Sequence, residues 1–152
     1  MTTTNYQDIL NESWDNIQQV AVLPIGCWLL RCRNASMQPP KGEGKSPSAL
    51  FVYEAVEPME DVDQGALDEL GKDYKYAENR IFKRFWVENG ADKDAIRAHI
   101  EKHGISCEGM TIGESLKAVK GLDVVAYLTQ RQFTSGGETK VENEPQNFVA
   151  AD

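Results

Sequence analysis

Period-two alternation of apolar and polar side chains recurs in several short stretches of this chain, and it limits the fold more than any other feature. Successive side chains on a strand point to opposite faces, so one face can be buried while the other stays wet. Trp28, Leu30 and Cys32 fall on one such face, and Leu29, Arg31 and Arg33 on the other, in a strand expected from Val20 to about Ala35. Pro24-Ile25-Gly26 near its start marks an edge or a bulge, because proline brings no donor to a ladder. A polar loop rich in glycine and proline follows at 38–48. The second strand, Ala49–Val56, sets Phe51 and Tyr53 against Leu50, Val52 and Val56. Apolar residues on both of its faces imply a central, covered strand.

A third strand is expected at Asn79–Val87, with Ile81, Lys83, Phe85 and Val87 on one face and Arg80, Phe82, Arg84 and Trp86 on the other. The fourth, Leu122–Phe133, closes at the Ser135-Gly136-Gly137 turn. Glu138–Val141 and Asn147–Ala150 read as two short final strands around an ENEPQ turn. Asn89 or Asp92 caps a helix over Lys93–His103 whose apolar stripe is Ala95, Ile96, His99 and Ile100, and Gly104 stops it. A shorter helix is expected at Ile112–Val119. The acidic connection 57–79 has room for one helical turn around Ala66–Leu70; connections of that length are commonly functional or mobile. Residues 1–19 space Ile9, Leu10, Trp14 and Ile17 as a short helix or arm, leaving 20–152 as the single domain. About five strands with a helix between the third and fourth is the element order of an OB-like five-stranded barrel, mostly β with minor α. At 152 residues such a core needs no disulfide or metal.

No apolar run approaches the roughly 20 residues that span a bilayer, and the N-terminal residues lack the basic start and apolar stretch of a secretory signal. The expectation is a cytoplasmic protein (host cytoplasm if the source is viral) with no membrane partner. Cys27 and Cys32 fall on opposite faces of one strand and Cys107 stands alone, so all three read as reduced thiols. The net charge of −8 is unevenly spread: residues 57–79 carry eight acidic and two basic groups, whereas 80–133 carry nine basic and seven acidic. A local basic face is therefore compatible with an acidic chain.

The chain has no phosphate-binding glycine loop, no dinucleotide fingerprint, no GxSxG and no HExxH, so no enzyme and no cofactor are expected. His99, His103 and Cys107 have the spacing of three ligands on one side of a helix, but Gly104 breaks the helix before Cys107, and ordinary helix histidines are the expected reading. Cys107 and His103 lack an orienting third group for nucleophilic chemistry. Glu57, Glu60, Asp61 and Asp63 lack the glycine and ligand order of a calcium loop and read as solvated.

One constellation does point to a function. Arg80, Phe82, Arg84 and Trp86 alternate cation and ring along one strand face. Tyr127, Arg131 and Phe133 share a face of the fourth strand, Arg31 and Arg33 lie on the first, and Lys41 and Lys45 sit in the 38–48 loop. Every base has a face that stacks on a ring, and guanidinium groups track phosphates, so this pattern suits single-stranded nucleic acid. In the competing reading Phe82 and Trp86 are core and the arginines lie at its rim.

The segment Leu23-Pro24-Ile25-Gly26-Cys27-Trp28, the Pro/Gly/Lys loop and Leu50-Phe51-Val52-Tyr53-Glu54-Ala55-Val56 resemble small phage-type proteins of replication and recombination gene clusters. Asn79-Arg80-Ile81-Phe82-Lys83-Arg84-Phe85-Trp86, the helix ending in His103-Gly104-Ile105, and Gly121-Leu122-Asp123-Val124 are similar too, extending the likeness over roughly residues 20–150. The resemblance implies a single-stranded DNA-binding protein with an OB-like barrel, working beside replication or recombination proteins. It carries over no individual binding residue. Many single-strand binders end in a disordered acidic tail; here Asn147–Ala150 reads as strand instead. The alternative from another class is a protein-interaction or virion-associated β module, in which the same rings bury themselves in a homodimer or larger homo-oligomer.

Overall fold

A computed structural model describes residues 22–151; the arm expected at 1–19 and the strand start expected at Val20 lie outside them. The strands are β1 (Gly26–Gln38), β2 (Ser48–Pro58), β3 (Arg80–Trp86), β4 (Asp123–Ser135) and β5 (Glu138–Ala150). All pair antiparallel in one open sheet of order β3-β2-β1-β4-β5. No ladder joins β3 to β5, although these outer strands approach within 8 Å Cα to Cα. The helices are α1 (Gln64–Leu70), α2 (Gly90–Glu101) and α3 (Ile112–Ala118), with a 3-10 turn at Tyr76–Glu78. The mostly β composition and the helical connection between the third and fourth strands are thus as expected.

Alternation decides which faces are buried. Trp28, Leu30 and Cys32 of β1, Phe51 and Tyr53 of β2, and Val124, Ala126 and Leu128 of β4 are buried on the inner face. β2 is central, between β3 and β1, and its outward Leu50, Val52 and Val56 are half-buried. Ile96 and Ile100 of α2 and Leu116 of α3 add to the same core. The expected Ala95 does not join them; it is exposed, since the helix turns only Ile96, His99 and Ile100 inward. Each helix begins at a side-chain cap: Asp63 accepts from Ala66 N–H, and Asn89 with Asp92 and Thr111 with Glu114 form reciprocal capping boxes.

Among the described residues β1 begins at Gly26, so 22–25, expected as strand, are not. At Gly26 φ is +145°, and a Cβ would lie 2.7 Å from Val62 Cγ2 and 3.2 Å from its Cα. The glycine lets the 59–63 segment fold over the strand start, where Met59 N–H donates to Cys27 O and Asp61 Oδ1 accepts from Cys27 N–H.

The two short final strands expected around ENEPQ are one continuous strand. Pro145 is tolerated because β5 pairs only with β4, so its missing donor breaks no second ladder. Asn147 takes a left-handed φ of 50° at the register shift opposite Val125 and Tyr127, and the strand continues past it. The β4–β5 turn places Gly136 (φ 60°) and Gly137 (φ 82°) between paired Ser135 and Glu138, the geometry that matches strand twist. Because β1 pairs with β4 only as far as Leu128, the ends of β4 and β5 continue as a two-stranded ribbon. Asn143 ties that ribbon to the body: its side chain accepts from Leu23 N–H and donates to Leu23 O and Thr129 O.

The spacing of His99 and His103 serves the core. Tyr53 Oη lies 2.7 Å from His99 Nε2 and 2.9 Å from His103 Nε2. His103 Nδ1 faces the carbonyls of His99 and Ile100 at 3.0 and 3.1 Å, and carbonyls only accept, so Nδ1 carries the proton. Nε2 of His103 therefore accepts from the Tyr53 hydroxyl, whose oxygen accepts from His99 Nε2–H. The chain of bonds satisfies all three groups with both rings neutral. Burial, with His103, Lys102 and Lys83 nearby, pushes His99 down to about 3. Burial also lowers His103, against the two carbonyl bonds that favour its charged form, and burial raises Tyr53.

Candidate nucleic-acid interface

The outer face of the sheet begins with a charge ladder. Backbone register places Arg80, Glu54, Arg31 and Asp123 in line across β3, β2, β1 and β4. Arg31 grips Asp123 through two nitrogens at 2.9 and 3.3 Å. Glu54 receives Arg33 at 3.4 Å on one oxygen and Arg80 at 3.6 Å on the other. The arginines are solvent-exposed, and the Arg31–Asp123 pair is worth about 0–1 kcal/mol; the shared Glu54 carboxylate is largely covered. The larger effect of these pairs is electrostatic, because cations already held by carboxylates have less field to offer a phosphate.

Next to the ladder, Phe82 and Trp86 are 55% and 54% exposed on the outward side of β3. Core packing of these rings is therefore not what the fold uses; Ile81, its neighbour on the inward side, is the buried residue. Between the rings in sequence stands Arg84. Its Nη1 donates to Ser48 Oγ at 2.6 Å and its guanidinium carbon lies 5.3 Å from the Trp86 ring centre. The hydroxyl of a buried serine thus holds the guanidinium against the indole.

Where β3 nears β5, a groove of about 540 Å³ opens. Arg80, Phe82, Lys83, Arg84 and Trp86 form one wall, and Arg131, Glu142, Asn143, Glu144 and Pro145 the other. Arg131 Nη2 donates to Glu142 Oε1 across the ribbon at 2.7 Å. Five residues expected from sequence, Arg80, Phe82, Arg84, Trp86 and Arg131, thus come together. Arg31 and Arg33 lie on the outer face within the ladder, and Tyr127 and Phe133, both half-buried, lie along β4; none of these lines the groove. Lys41 and Lys45 are exposed in the β1–β2 loop and also stand outside it.

Sequence reasoning missed the β5 wall. Glu142 and Glu144 alternate with Asn143, a strand signal, but the segment reads as a turn because of Pro145. Lys83, expected on the same face as Ile81, is half-buried and reaches the groove, its Nζ 5.2 Å from the Phe85 ring centre.

No family model and no curated protein matches this chain. The interface therefore stands on its own geometry. Cys107 has no hydrogen bond or ring contact with Tyr53, His99 or His103 among the described residues; it lies in a second, apolar pocket of about 390 Å³ between α2 and α3, beside Ile96, Ile100 and Ile112. Its backbone N–H donates to Glu101 Oε2, and burial raises its thiol above the ordinary range. Asp61 and Asp63 of the acidic connection are used as backbone acceptors. Among the described residues no group of three or more His, Cys, Asp or Glu side chains is placed to hold a metal ion. No helix among them is long and apolar enough to cross a membrane.

Proposed function

We propose that this protein is a non-catalytic, single-stranded DNA-binding module of OB-like architecture, and that the β3–β5 groove is where the strand lies. The observation that carries the reading is the pair of rings, Phe82 and Trp86, each more than half exposed on one strand face with Arg84 between them. Residues i and i+4 of a strand stand about 13 Å apart at roughly 3.3 Å per residue, far enough for each ring to take a different base. With Arg80 paired to Glu54 and Arg131 to Glu142, Lys83 and Arg84 outnumber Glu144 around the groove, which favours a phosphate-bearing ligand. The architecture is supported by the order β3-β2-β1-β4-β5, by the approach of the two outer strands, and by helices inserted between β3 and β4. In OB-type folds the β2–β3 face and the β1–β2 and β4–β5 connections bind oligonucleotides, which gives Lys41 and Lys45 a place beside the strand. A role in phage replication or recombination rests on the resemblance described above.

Fluorescence anisotropy of a labelled mixed-sequence oligonucleotide of about 30 nucleotides, at low and moderate salt, tests the reading. Binding should weaken by about 0.7 log units per log unit of salt for each phosphate neutralised, and duplex DNA should fail to compete. Binding independent of salt, or full competition by duplex, refutes it.

The ion-pairing of Arg31, Arg33, Arg80 and Arg131 favours a second reading, a protein-interaction module in which Phe82 and Trp86 are buried between copies. It predicts a stable homo-oligomer by light scattering that Trp86→Ala converts to monomer, with no retention of nucleic acid.

A further inference from the structure

The groove has two chemically different walls, and the difference bears on which bases it takes. On the β5 side, Glu142 is engaged by Arg131 at 2.7 Å. The Asn143 amide is fully used on Leu23 and Thr129, and Pro145 offers no donor. The main-chain carbonyl of Glu144 accepts the Thr129 hydroxyl at 3.1 Å. Glu144 lines the groove and is exposed, and its carboxylate has no ion pair or hydrogen bond among the described residues. It is a solvent-exposed acceptor on the wall of the groove.

A carboxylate repels phosphate, so a bound strand turns its backbone toward Arg80, Lys83 and Arg84 and its base edges toward β5. An ionised carboxylate only accepts hydrogen bonds. Cytosine, adenine and guanine each carry an exocyclic amine that donates, and carboxylate acceptance from cytosine N4 is an established mode of base reading. Thymine has no exocyclic amine; its one imino N–H lies between two carbonyl oxygens, which the carboxylate repels.

We infer that Glu144 makes the groove selective for amine-bearing bases, so that cytosine-rich single strands bind more tightly than thymine-rich ones; this rests on the single-strand reading above. Cytosine and thymine are both one-ring bases, so stacking on Phe82 and Trp86 differs little between them and the carboxylate term is isolated.

The test is anisotropy with labelled dC and dT 12-mers at pH 8, where cytosine is unprotonated, using the full chain and its Glu144→Gln and Glu144→Ala variants. The wild-type protein should prefer dC by about tenfold, within the roughly 5- to 150-fold that one good base contact supplies. Glu144→Ala should bring the ratio close to one, mainly by weakening dC, and Glu144→Gln, whose amide oxygen still accepts but carries no charge, should fall between. Glu144 is exposed, so the variants should keep the wild-type melting temperature. Equal binding of dC and dT by the wild-type protein overturns the inference and leaves the single-strand reading standing. So does a variant that strengthens both oligonucleotides alike, because Glu144 would then be only a repulsive charge. Failure of both 12-mers and of the mixed 30-mer to bind at micromolar protein overturns the inference and the reading together.

Discussion

Lowering the pH from 7.5 to 5 should destabilise this protein through Tyr53, His99 and His103. The two imidazoles are held neutral in the core, His99 with its pKa pushed down to about 3 from the ordinary 6.5. A group whose folded pKa is depressed contributes stability that is complete above its unfolded pKa and is lost as pH falls toward the folded value. For His99 that window runs from about 6.5 to 3. Each pH unit inside the window costs about 1.4 kcal/mol, so at pH 5 the His99 contribution has fallen by about 2 kcal/mol. His103 is shifted in the same direction and adds to the loss. Most carboxylates stay ionised down to pH 5, so this interval isolates the histidines. Urea unfolding followed by tryptophan fluorescence at pH 7.5, 6 and 5 should show the midpoint falling by about 1 M or more, for slopes of about 1–3 kcal/mol/M. His99→Gln retains an amide donor for Tyr53 but cannot titrate, and should flatten the dependence even if it lowers stability at pH 7.5. A midpoint constant from pH 7.5 to 5, or an equal pH slope in His99→Gln, would refute the argument.

Trp28 and Trp86 should part company on truncation. Trp86→Ala should change stability by less than about 1 kcal/mol while costing about 1–3 kcal/mol of single-strand affinity; Trp28→Ala, fully buried with its Nε1–H donating to Pro24 O, should cost about 3–5 kcal/mol of stability, read from chemical denaturation. Gly26→Ala meets both the positive φ and Val62, and a thermal melt should show a loss of at least about 1 kcal/mol. Asn143→Ala leaves Leu23 N–H without its partner, while Leu23 O keeps the Gln130 amide; amide exchange should accelerate at Leu23, with a stability cost of about 1–3 kcal/mol.

Local patterning made most of the sheet legible. The two residue sets of β1, β2 and β3 follow from alternation alone, although for β3 alternation left open which set is buried, and Asn89 and Gly104 bracket α2 and its terminal turn closely. What was illegible depends on partners distant in sequence. Pro145 and Asn147 look like turn residues until β5 is known to lie at the sheet edge, where a missing donor and a bulge cost little. The His99–His103 pair, four apart, is the spacing of a ligand pair as much as of a core stripe; only the arrival of Tyr53 from β2 distinguishes them. Candidate site residues on one strand, Arg80, Phe82, Arg84 and Trp86, could be grouped by parity. The opposite wall could not, since nothing local to Glu142 or Glu144 says that β5 curls toward β3.

The ribbon beyond Leu128 gives the groove a fixed jaw and a lighter one. β3 is stitched to β2 along its whole length, whereas the Arg131–Glu144 wall is held by its own hairpin ladder and by Asn143 and Gln130, which both bond Leu23. The width of the groove therefore depends on the position of one slender hairpin anchored at Leu23. Trypsin offers a gauge of its opening, because Arg131 and Lys140 are both exposed on that hairpin. A ligand that bridges the two jaws should slow cleavage at both sites.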